Sequence, residues 1–110
     1  MKKVNIQLFA VAAVLAVVLA PSLAHAQSAA ATYKSKCAGC HGVDGKGNTG
    51  PGKALGVHDF GSDEVTKMSD ADLAKVVADG RNKMPAYGKS LKETEIKDLI
   101  AYIRQLGKQQ

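Results

Sequence analysis

The run KCAGCHG, residues 36–42, sets Cys37, Cys40 and His41 within five consecutive positions, and the chain has no other cysteine. A disulfide across so short a loop would restrict the unfolded chain very little, which makes it a poor staple. Two thiols three residues apart, with an imidazole directly behind the second, form C-x-x-C-H, the attachment signature of c-type haem. On a helix, positions i and i+3 share a face. Cys37 and Cys40 can therefore reach the two vinyl groups along one side of a porphyrin. The short tether then fixes His41 beneath the iron as an axial ligand.

Two other chemistries use part of this pattern. A thioredoxin-like dithiol also has C-x-x-C, but it sits near a βαβ pattern, and none is visible here. A structural zinc site needs four ligands, which Cys37, Cys40, His41 and His58 could just supply. For a haem, the second axial ligand would come from His58, Met68 or Met84. Met68 is better explained as a packing residue in front of a helix, and His58 as a solvated loop side chain. Met84 precedes Pro85, which biases it away from helical geometry and toward an extended loop that can present a thioether. Core filling is its other ordinary use, and local pattern leaves both open.

The elements that must position these residues are helical. A first helix over roughly Ala29 to Gly39 puts Tyr33, Cys37 and Cys40 on one face. Residues 42–61 hold seven of the eleven glycines and read as ordered loop with tight turns. In MSDADLAKVVADG, Ser69 caps a helix with Asp72 three residues on, Met68 and Leu73 form a staple, and Gly80 stops it. A second loop, RNKMPAYGKS, follows. ETEIKDLIAYIRQLG then spaces Ile96, Leu99, Ile100, Ile103 and Leu106 as one helical stripe ending at Gly107. Its start has two solutions, a Ser90–Glu93 capping box or a Leu91–Ile96 staple around Lys92. No stretch alternates with period two, so the fold class is all-α, about three to four helices separated by glycine-rich loops.

The chain's ends and charge bound its context. Lys2 and Lys3, an apolar run from Leu8 to Ala20, Pro21 and the Ala24-His25-Ala26 site lay out a secretory signal peptide, residues 1–26, cleaved after Ala26. The apolar run is 13 residues, short of the roughly 20 that a spanning helix needs. One domain, 27–110, remains. Without Lys2 and Lys3 the net charge of +5 falls to +3, too little for a dense nucleic-acid-binding stripe. That domain has no tryptophan and one phenylalanine, Phe60. So small a core calls for a staple or a large internal cofactor.

CAGCHG, GKGNTGPG, NKMPAYG and DLIAYI, in this order and spacing, resemble the class I cytochromes c. The similarity is greatest to the small soluble monohaem proteins of the bacterial periplasm and photosynthetic lumen. It runs from about Ala29 to Gly107, with CAGCH and MPAY its most specific parts. It implies the cytochrome c fold around one covalent haem c, with Cys37 and Cys40 as thioether positions, His41 as proximal and Met84 as distal iron ligand. It also implies that the Pro51 carbonyl accepts a hydrogen bond from the ligand histidine, and that Tyr87 packs near the haem. Ala29 and Tyr33 should cross Leu99 and Tyr102. Lys53 stands where relatives often carry a leucine, with Leu55 two residues later, and the tryptophan many relatives place near a propionate is absent.

With both axial positions filled, substrate has no access to iron, and outer-sphere electron transfer is the expected activity. The expectation is a monomeric periplasmic one-electron carrier, not an enzyme, without stable membrane insertion. It would dock transiently on larger redox proteins, with Lys46, Lys53, Lys83 and Lys89 bordering the haem. An enzymatic or sensory haem protein with a labile Met84 is the competing reading.

Overall fold

The computed structural model describes residues 23–110; the expected leader lies outside these residues except for its last four positions. Three longer helices dominate: α1, residues 23–36; α5, Asp70–Asp79; and α6, Glu93–Lys108. Between α1 and α5 lie three short ones: α2, Ala38–His41; α3, Gly50–Leu55; and α4, Asp63–Thr66. Among the described residues the β-structure is one isolated antiparallel bridge, Arg81 to Met84. The all-α expectation holds.

Local chemistry explains each boundary. Ser69 Oγ accepts the Asp72 N–H at 3.0 Å and caps α5, whose first turn carries Asp70 and Asp72 where the helix dipole favours negative charge. Gly80 ends it, with φ +76°. A Cβ there would stand 2.7 Å from the Met84 carbonyl oxygen, so only glycine lets the following loop fold back on the helix end. For α6 the second starting solution is the one formed. The Lys92 N–H donates to Glu95 Oε2 at 2.7 Å, and Leu91 and Ile96 are both buried. The helix does not stop at Gly107 but runs through it to Lys108, with Gly107 against the Phe60 backbone.

Two expectations are corrected. The first helix is not continuous through the cysteines: it breaks at Cys37 and resumes as α2. The glycine-rich segment also contains a helix, α3. Thr49 caps it, Pro51 stands in its first turn where a missing N–H costs nothing, and left-handed Gly56 closes it.

The core forms where α1 and α5 meet α6. Leu73 and Val77 of α5 pack with Ile96, Leu99, Ile100 and Ile103 of α6. Tyr33 and Leu99, each 1% exposed, are its deepest side chains. The Tyr33 and Tyr102 rings lie 5.2 Å apart at 56°, the expected crossing of the first and last helices. Arg104 ties the middle of the chain to this core. Its guanidinium donates to the Val65 carbonyl at 3.2 Å, to the Met68 carbonyl and to Asp70, and so holds residues 65–70 on α6.

Candidate functional site

Cys37 lies at the break between α1 and α2, and Cys40 and His41 are the last two residues of α2. The Cys37 N–H still bonds to Tyr33 O at 2.9 Å and the His41 N–H to Cys37 O at 3.0 Å, four residues back as in any helix, but the Cys40 N–H turns to Cys37 O, three residues back, at 3.2 Å. Three successive carbonyls at the end of α2 then find donors outside it. Cys40 O accepts from Thr49 Oγ1 at 2.7 Å, His41 O from Gly47 N–H at 2.8 Å and Gly42 O from the Tyr33 hydroxyl at 2.6 Å. Thr49 Oγ1 also accepts the Gly52 N–H at 2.8 Å, so one hydroxyl joins α2 to α3. A Cβ on Gly52 would collide with the Cys40 and Gly47 carbonyl oxygens. The helices approach that closely only because it is glycine.

His41 stacks on Phe60, with ring centroids 4.9 Å apart and planes 26° apart. Phe60 is buried, turns its edge to Tyr33 at 6.2 Å, and is held by its N–H to Gly45 O at 3.0 Å. Burial pushes the His41 pKa down, which keeps the ring neutral with a lone pair free to bind a metal. His41 Nδ1 is buried with no hydrogen-bond partner. The expected contact to the Pro51 carbonyl is therefore not formed, and Pro51 stands exposed at the start of α3. A buried nitrogen left unpaired costs about 1–3 kcal/mol. Such an uncommitted imidazole, with two thiols three apart beside it, fits a group that joins the chain from outside.

The competing chemistries fare less well. Burial raises the Cys37 pKa, only partly offset by the Lys36 ammonium, so the thiol is not the activated thiolate of a dithiol oxidoreductase. His58 is exposed and faces Glu64 at 3.3 Å. Among the described residues no cluster of three or more potential metal ligands assembles.

Met84 ends a tight hairpin turn. The Met84 N–H bonds to Arg81 O at 2.9 Å and the Arg81 N–H returns to Met84 O at 3.3 Å, with Asn82 between them at φ +53°. The Met84 side chain is half-buried and packs against the core, as does Met68. Three residues on, the Tyr87 and Gly88 N–H groups bond back to Val77 O and Ala78 O of α5, at 3.0 and 2.9 Å. The Tyr87 hydroxyl donates to Lys36 O at 3.1 Å, directly before Cys37. Its pKa is raised, first by burial and then by the Cys37 and Cys40 thiolates. Lys46, Lys53, Lys83 and Lys89 are all exposed.

Sequence reasoning missed Thr49, Phe60 and Arg104. Thr49 had a signal, a capping residue two before a proline. Phe60 and Arg104 had none beyond being the domain's single phenylalanine and one charge on a helix.

A family model described as cytochrome c oxidase, cbb3-type, subunit III matches residues 24–103. The chain is 37% identical over 86 residues to the cbb3-type cytochrome c oxidase subunit FixP of Azorhizobium caulinodans, covering 74% of this chain and 27% of that protein. It is 30% identical over 92 residues to subunit CcoP of Azospirillum brasilense, covering 76% and 29%. Over 106 residues it is 32% identical to cytochrome c6 of Rippkaea orientalis, covering 94% of this chain and 92% of the relative. The chain thus spans little more than a quarter of the two oxidase subunits and nearly all of the third relative.

Proposed function

The chain belongs to the c-type cytochrome family of the cbb3-type subunit III model, and on that premise we propose that it is an exported one-electron carrier. Bound haem c supplies the iron couple that gains and loses the electron. Cys37 and Cys40 are its attachment thiols and His41 its proximal ligand, a neutral ring held between Phe60 and the end of α2. Met84, on a loop that bonds back to α5, would supply the second protein ligand to the iron. A thioether there favours the reduced state relative to a second nitrogen. Burial of the group in an apolar pocket would act in the same direction, because it disfavours the form with the extra charge.

The single observation that carries this reading is the buried, partnerless His41 Nδ1 beside two thiols at C-x-x-C-H spacing. The exposed lysines Lys46, Lys53, Lys83 and Lys89 form the docking surface for an acidic redox partner. Export follows from the leader pattern, and the periplasm is the proposed compartment.

A second reading is a haem domain that works as part of an oxidase assembly. The two oxidase-subunit relatives favour it, while coverage of the cytochrome c6 relative over nearly its whole length favours the carrier. No helix among the described residues is long and apolar enough to cross a membrane.

Haem staining after denaturing electrophoresis tests attachment. Native protein should stain, and Cys37→Ala with Cys40→Ala should not. Fractionation of the native host separates the two readings. A carrier is recovered free in the periplasmic fraction, and an assembly subunit co-purifies with membrane oxidase.

A further inference from the structure

The loop that carries Met84 is tied to its surroundings unevenly. Arg81 and Met84 bond to each other, the Tyr87 and Gly88 N–H groups bond to α5, and the Ser90 and Leu91 N–H groups bond to Tyr87 O. Every one of these contacts lies within the loop or joins it to α5. Among the described residues, one hydrogen bond crosses from this loop to the cysteine side of the site: Tyr87 Oη to Lys36 O, 3.1 Å, spanning 51 residues.

Its acceptor is not an accident of the surface. In an unbroken helix the Cys40 N–H would bond to Lys36 O, four residues back. Here it donates to Cys37 O instead. The break at Cys37 therefore leaves Lys36 O, among the last carbonyls of α1, without its helical donor, and Tyr87 supplies one. A released helix carbonyl needs a partner, and this one comes from the methionine loop. The Lys36 ammonium also lies 5.9 Å from the Tyr87 ring centroid, within cation–π reach, so the same two residues meet twice.

We propose that Tyr87 is a positioning residue whose hydroxyl latches the Met84 loop to the end of α1 and so sets how readily Met84 gives way to an outside ligand. The inference rests on the reading of Met84 as the distal ligand. For a small base such as imidazole to take that position, the loop must lift, and lifting it breaks the Tyr87–Lys36 bond. Without the hydroxyl the lifted state is more populated, and the apparent affinity for the outside ligand rises in proportion.

The test titrates the oxidised holoprotein with imidazole and follows its optical spectrum, including the methionine–iron charge-transfer band. Tyr87→Phe keeps the ring and removes only the hydroxyl. It should raise imidazole affinity about two- to tenfold, the range set by one net hydrogen bond. Arg104→Lys, which loosens residues 65–70 and leaves the Tyr87–Lys36 bond in place, serves as the stability control. It should lower the thermal midpoint and leave imidazole affinity at the native value. Unchanged affinity in Tyr87→Phe with the band intact overturns the latch alone. An equal rise in Arg104→Lys also overturns it, because general loosening would then explain both. A native protein without the band overturns the Met84 reading and the latch with it.

Discussion

The His41 imidazole lies against the Phe60 ring, 4.9 Å between centroids and 26° between planes. The domain's one phenylalanine is thus spent on the histidine of C-x-x-C-H. Phe60 also packs on Tyr33, so the ring that supports His41 belongs to the same core that joins the first and last helices.

Removing that ring should be expensive. Phe60→Ala leaves a cavity beside His41 and Tyr33, and large-to-small aromatic changes in a core cost about 3–5 kcal/mol. Denaturant unfolding of the holoprotein measures the loss. A change below about 1 kcal/mol would mean that Phe60 does not hold the site.

Thr49 is expected to matter out of proportion to its size. Thr49→Val keeps the shape but deletes the hydrogen bonds to Cys40 O and from Gly52 N–H. It should destabilise the holoprotein by about 1–2 kcal/mol, and Thr49→Ser should restore most of this. Equal losses in both variants would assign the effect to the methyl group instead.

Alkaline stability should depend on Tyr33. Its hydroxyl is buried and donates to Gly42 O, and that burial raises its pKa well above the ordinary tyrosine value of about 10. The folded state therefore favours the neutral phenol. This contribution is full below pH ~10 and is lost as pH rises from there toward the folded value. Tyr33→Phe should flatten the decline in unfolding free energy above pH ~10, leaving a smaller slope from Tyr87, whose pKa is also raised. An unchanged slope would remove Tyr33 as its source.

Docking through the lysines predicts a salt effect. Electron transfer to an acidic partner should slow as ionic strength rises, because charge steering is screened over about 10 Å at 0.1 M. Reversing Lys83 and Lys89 to glutamate should slow it further at low salt and remove most of the salt dependence. Flat rates in the native protein would exclude these side chains as the docking surface.

The parts of this molecule that sequence makes plain are those set by local chemistry. Ser69 and Gly80 bound α5 because a cap and a stop act within one turn, and the stripe from Ile96 to Leu106 needs only helical spacing. C-x-x-C-H is legible because its chemistry depends on separation along the chain. Helix α3 was hidden since glycine abundance around it outweighed the local signals of Thr49, Pro51 and Gly56. The break at Cys37 leaves no mark in composition. The end of α2 is equally hidden, since its Gly42 and Cys40 carbonyls find donors nine residues away in Tyr33 and Thr49. Arg104 and Phe60 act across 39 and 19 residues, and nothing nearby announces such partners.

The central claim is a haem held by His41 and Met84 with neither position open. Optical spectra of the purified holoprotein, oxidised and reduced, with and without carbon monoxide, test it most directly. The account predicts sharp low-spin spectra, a methionine–iron charge-transfer band in the oxidised form that Met84→Ala abolishes, and no response to carbon monoxide. Rapid carbon monoxide binding by the native protein would contradict it and make the site an open, reactive one.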